Sequence, residues 1–65
     1  MQTIKSPSGK TIGTIRQESG RLVARDTTGK MLGYYVEKEN ATRDPHGRLL
    51  AKGNILSSLI LQNAK

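Results

Sequence analysis

Hydrophobic positions along the chain come in short bursts, and the polar clusters between them end in glycine. Ile12 and Ile15, Leu22 and Val23, Met31 and Leu32, Tyr34 to Val36, and Leu49 and Leu50 each sit a few residues after such a cluster. Bursts of this length, bounded by Gly, Pro, Ser and Asp, predict strands rather than helices. They place strands near residues 2–5, 10–17, 21–26, 30–37, 42–44 and 48–52. The links between them are too short for crossovers, so neighbours run antiparallel. After Gly53 the period changes: Asn54 is a good N-cap, and residues 55–62 repeat apolar side chains at helical spacing. Ile55, Leu56, Leu59 and Ile60 form one stripe, with Leu61 outside it. The expected fold is mainly β (α+β): an antiparallel β-meander of about five to six short strands with a short C-terminal helix. It forms a single domain over residues 1–65, with the hairpin meander in 1–53 and the helix in 54–63.

The glycine-terminated clusters form an internal repeat. PSGKTIG, ESGRLVA, TTGKMLG and PHGRLLA align on Gly9, Gly20, Gly29 and Gly47. Each has Lys or Arg after the glycine, then two mostly apolar residues and a small one. A hairpin loop built on a type I turn ends in a left-handed residue, which glycine adopts without a Cβ penalty. Ser or Asp suits the first turn position and Pro the second. Ser6-Pro7-Ser8-Gly9 and Asp44-Pro45-His46-Gly47 meet both conditions; Asp26-Thr27-Thr28-Gly29 and Gln17-Glu18-Ser19-Gly20 are weaker versions. Strand periodicity then predicts Ile12, Val23, Leu32 and Leu50 toward the core. The preceding residues and the small Gly13, Ala24, Gly33 and Ala51 fall on the opposite face, leaving room for a helix or second sheet to approach. Ile12 and Ile15 are three apart, so a bulge at Gly13 is expected to restore the alternation.

The repeat also accounts for Gly9-Lys10-Thr11, which ends like a phosphate-binding P-loop. Such a loop needs a second glycine five residues earlier, where this chain has Ile4, and a helix directly after. Neither is present, so no nucleotide or other cofactor is expected.

Composition adds two points. The chain has 65 residues, no cysteine and one histidine, so neither disulfides nor a metal cluster is expected to brace a small core. Seven of its 16 large aliphatic side chains lie in residues 49–61, more than one small sheet face would cover. Self-association is the expected remedy, with Tyr34, Leu56, Leu59, Ile60 and Leu61 as the homodimer interface. Exchange of elements about a hinge at residues 38–41 is one form it would take. The net charge is +6, spread over both halves of the chain, which favours acidic partners such as nucleic acid. The lack of an apolar leader and of any long apolar run leads to the expectation of a soluble, cytoplasmic protein with no membrane partner.

The segment GRLVARDTTGKMLGYYVEKENATRDPHGRLLAKGN resembles the YD repeats of bacterial RHS proteins. Arg25-Asp26-Thr27-Thr28-Gly29-Lys30, Arg43-Asp44-Pro45-His46-Gly47-Arg48 and the Tyr34-Tyr35 pair carry the likeness. Arg43 stands where those repeats have Tyr, and the run is far too short for the large shells they build. The ending GRLLAKGNILSSLI is similar to that of small bacterial proteins of unknown function whose hairpins close with an apolar helix. The resemblance implies β-hairpins and a swapped dimer, and carries over no catalytic residue.

No constellation for catalysis emerges. His46 is a turn residue whose only acidic companion is Asp44, and Glu37 and Glu39 flank Lys38 in a polar link. No small-molecule substrate is implied, and the chain is read as a non-enzyme. The primary expectation is a structural or interaction module acting as a homodimer. The alternative is a non-specific nucleic-acid binder. In an up-down meander Lys5, Lys10, Lys30, Arg43 and Arg48 gather at the end that carries the Gly9, Gly29 and Gly47 turns. Lys10, Lys30, Arg43 and Arg48 are then the candidate phosphate contacts on a basic rim at the strand ends.

Overall fold

Six strands follow one another across a single sheet in the order of the sequence. The computed structural model describes residues 2–64. Its strands are β1 (Gln2–Lys5), β2 (Thr11–Glu18), β3 (Arg21–Asp26), β4 (Met31–Val36), β5 (Ala41–Arg43) and β6 (Leu49–Lys52). Every neighbouring pair is antiparallel, and the chain closes with helix α1 (Leu56–Asn63). The mainly β meander with a short C-terminal helix is therefore the architecture adopted.

Three of the four glycine turns share one geometry. In each, the glycine N–H donates to the carbonyl of the residue three before it: Gly9 to Ser6 at 2.9 Å, Gly29 to Asp26 at 3.1 Å, Gly47 to Asp44 at 2.9 Å. The first turn residue donates in return to the carbonyl of the basic residue after the glycine, at 2.8 to 3.0 Å. All three glycines have φ between 88° and 90°, the left-handed conformation this loop requires. The fourth copy differs from expectation. Glu18 pairs directly with Arg21, and both Ser19 and Gly20 have positive φ, at 49° and 79°. This is a two-residue hairpin of the I′ type, whose twist matches the strands it joins.

The repeat also sets the register. Ile12, Leu32 and Leu50 are each an extra residue in their strand, left over between paired neighbours of β1–β2, β3–β4 and β5–β6. The expected bulge is thus present beside Gly13, with Ile12 as the inserted residue, and it recurs in the two equivalent units. An inserted residue resets the side-chain alternation. Ile12 and Leu32 consequently lie on the same side as Gly13 and Gly33, while Thr11, Met31 and Leu49 fall on the other. The β3 copy has no insertion, so Leu22 and Ala24 face the helix and Val23 faces away, the reverse of the expected placement.

Helix α1 packs across β2, β3 and β4. Leu56 and Ile60 are fully buried with Ile15 and Ala24, and Ile4, Ile12, Leu22, Leu32, Tyr35 and Leu59 surround them. The small residues allow this close approach: a Cβ on Gly33 would stand 2.7 Å from Leu59 Cδ2. The helix entry is tied to the sheet through Thr42, which is fully buried. Its hydroxyl donates to the Gly53 carbonyl at 2.6 Å and accepts the Ile55 N–H at 3.2 Å. Asn54 Oδ1 accepts the Leu56 N–H at 3.1 Å, so Asn54 serves the helix start although the helix begins one residue later than its sequence suggests. No helix among the described residues is long and apolar enough to cross a membrane.

Candidate functional site

The helix covers one face of the sheet and leaves the other bare. Register assigns residues to that open face in three cross-strand rows. The first runs Glu18, Arg21, Val36, Ala41, Lys52; the second runs Arg16, Val23, Tyr34, Arg43, Leu49; the third runs Thr3, Thr14, Arg25, Met31. Lys5 joins them, paired with Thr11. Lys5, Arg16, Arg21, Arg25, Arg43 and Lys52 therefore share one face, and Glu18 is the acidic residue among the strand positions there.

The floor of this face is closed by its own side chains. Arg25 reaches along β3 to Glu18, its Nη2 lying 3.3 Å from both carboxylate oxygens. The ends of that ion pair stand on either side of the Arg16–Val23 pair, so the arginine stem lies across Val23, which is fully buried. The Arg21 guanidinium sits 4.5 Å from the centre of the Tyr34 ring, a cation–π contact. Arg43 is held twice: Nε donates to Glu39 Oε1 at 3.2 Å and Nη1 to the Gly47 carbonyl at 2.8 Å. Among the described residues, Lys5, Arg16, Arg21 and Lys52 make no ion pair, and Lys5, Arg16 and Lys52 are exposed.

The expected rim is present in part. The meander brings the Gly9, Gly29 and Gly47 turns to one end of the sheet, with Lys10, Lys30 and Arg48 exposed at the same position of each turn. Asp26 and Asp44 sit among them. The Asp26 carboxylate accepts the Thr28 hydroxyl at 2.6 Å and the Thr28 and Lys30 N–H groups at 2.9 and 3.0 Å. The hydroxyl bond first, and the two backbone bonds after it, hold its pKa below the usual carboxylate value. Arg43 stands at the foot of the Gly47 turn, with its head group bound to the Gly47 carbonyl of that turn and to Glu39. Arg16, Arg21, Arg25 and Lys52 were not among the residues the sequence singled out. The signal for two of them lay in the alternation Arg21-Val23-Arg25.

The expected dimer residues divide. Leu56 and Ile60 have no exposed surface and are used within the chain's own core. Leu59 is half-buried against Gly33, and Tyr34 lies on the open face under Arg21. Leu61 stays exposed, at 41%. The link at residues 37–40 is a closed turn: Tyr35 Oη donates to Asn40 Oδ1 at 2.7 Å, and the Gly53 N–H donates to the Asn40 carbonyl at 2.7 Å.

His46 is exposed in its turn and gives its backbone N–H to Asp44 Oδ1 at 3.0 Å. A depression of about 460 Å³ opens beside the helix start and is lined by amides of Gln2, Gln17 and Asn54 with Ser57, without a titratable side chain. Among the described residues no three His, Cys, Asp or Glu side chains converge as metal ligands. Comparison with known proteins found no matching family model, no similar curated protein and no similar solved structure.

Proposed function

We propose that the chain is a small binding module that grips a phosphate polymer, such as nucleic acid, on its open sheet face. The observation that carries this reading is the segregation of charge. Six cations and one carboxylate stand on the strands of the face the helix leaves bare, while the helix itself bears no charge. Concentrated like charge raises the local potential and attracts a polyanion without reading bases. The turn cations Lys10, Lys30 and Arg48 extend the field along one end. A heteronuclear NMR titration of the folded chain with an oligonucleotide tests it. Shifts are expected at Arg16, Arg21, Tyr34 and Lys52. Shifts confined to α1, or none at low salt, would contradict it.

A second reading, self-association, is favoured by β6. Among the described residues this edge strand has no partner on one side, and Leu49 and Leu50 are 52% and 43% exposed on it. Unpaired apolar edges template pairing with another copy. Sedimentation equilibrium at micromolar concentration distinguishes a monomer from a dimer.

A further inference from the structure

Resting on the reading of the open face as a phosphate-binding surface, we infer that its ligand is a duplex nucleic acid held by its two backbones, rather than a single strand. Two features of the face argue for it.

The first is the layout of the cations. Arg21 and Lys52 stand in one row on β3 and β6, with Glu18 beyond Arg21 on β2, and Arg16 and Arg43 stand in the next row on β2 and β5. In both rows the two cations are three strands apart, about 14 Å at the usual strand spacing. Val36 and Ala41 lie between them in one row, Val23 and Tyr34 in the other. By strand position, two lines of cations therefore flank a strip of uncharged residues, and the Arg21 head group leans from one line over Tyr34. A single backbone would have to cross that strip to meet both lines. The two backbones of a duplex run on either side of a groove about 12 Å wide, and meet them together.

The second is the strip itself. Single strands are bound without sequence preference largely by stacking their bases on aromatic rings. The chain has two aromatic side chains. Tyr35 faces the helix and packs at the edge of the core. Tyr34 is on the open face, but Arg21 already occupies its ring. Val23 and Ala41 have almost no exposed surface. Bases lifted from a duplex would find no platform here, so affinity must come from phosphates alone. A duplex presents these at higher density and keeps its own stacking.

The experiment is fluorescence anisotropy of the full chain against a labelled 20-base-pair duplex and a labelled 40-residue oligothymidylate, which match in phosphates. The four cations of this face that have no acidic partner among the described residues, Lys5, Arg16, Arg21 and Lys52, set the expected salt dependence of duplex binding. Its log–log slope is about −3 to −4, from roughly −0.9 per phosphate neutralised. The duplex is expected to bind about tenfold tighter than the single strand. Equal or tighter binding of the single strand, with both bound, overturns this inference and leaves the cationic face as a binding surface. Binding of neither at 20 mM salt overturns both.

Discussion

Ile60 rests directly on the backbone of Gly13. A Cβ built at Gly13 would stand 2.7 Å from Ile60 Cγ2 and 2.7 Å from the Arg25 carbonyl oxygen. The side chain could turn aside, but the carbonyl belongs to the neighbouring strand and cannot. Gly13→Ala is therefore expected to lift the helix off β2 and β3, at a cost of about 1–3 kcal/mol for overpacking. Urea unfolding followed by circular dichroism should show a lower midpoint. A midpoint at or above the wild-type value would show that the helix is not seated there.

Thr42 offers a separate probe of the same docking. Its hydroxyl bridges the Gly53 carbonyl and the Ile55 N–H in a fully buried position. Thr42→Val keeps the shape and leaves both backbone groups without that partner, which costs about 1–3 kcal/mol. Amide exchange at Ile55 should accelerate with the loss of stability. Thr42→Ser, which keeps the hydroxyl, should preserve the protection at that amide.

Acid should act on the Asp26 turn. Its folded pKa is lowered, first by the Thr28 hydroxyl, so the folded state favours the ionised form. The stability this contributes is complete above the unfolded value, about 3.9, and is lost as pH falls through the lower folded value. Thermal melts between pH 7 and pH 2 should decline more steeply below about pH 4 for the wild type than for Asp26→Asn. Identical acid limbs would mean that the turn bonds do not couple to folding.

The edge at β6 makes its own prediction. Among the described residues, Leu49 and Leu50 are two of the three large apolar residues left exposed. Leu49→Lys with Leu50→Lys should abolish any self-association seen by sedimentation without lowering stability by more than about 0.5 kcal/mol, as expected for exposed positions. Leu59 is a poorer probe, since it packs against Gly33 and its replacement would report folding as much as pairing.

The turns were the most legible part of the fold, because a left-handed glycine after Ser or Asp is a local requirement visible in four residues. The facing of the strands was less so. Ile12, Leu32 and Leu50 are inserted residues, and an insertion shows itself only through the partner strand. Carrying that pattern over to the β3 copy put Val23 on the wrong face, since Ser19-Gly20 turns in two residues and needs no insertion. The open-face cations stayed hidden for the same reason: assigning Arg16, Arg21, Arg25 and Lys52 to one surface requires the register of five strands. The apolar tail was read correctly as an amphipathic helix. Its grease, however, is largely consumed by the chain's own sheet, because the small residues at positions 13, 24 and 33 let Leu56, Leu59 and Ile60 sink close to the backbone.

The open face and the turn rim can be separated by reversing charge on each. Arg16→Glu with Lys52→Glu alters the face, and Lys10→Glu with Lys30→Glu alters the rim by the same four units; all four residues are exposed and outside any ion pair among the described residues. Affinity for one duplex oligonucleotide at fixed salt, with folding checked by circular dichroism, decides between them. A loss at least tenfold greater for the face pair is the predicted result. Equal losses for the two pairs, or a greater loss for the rim pair, would contradict it.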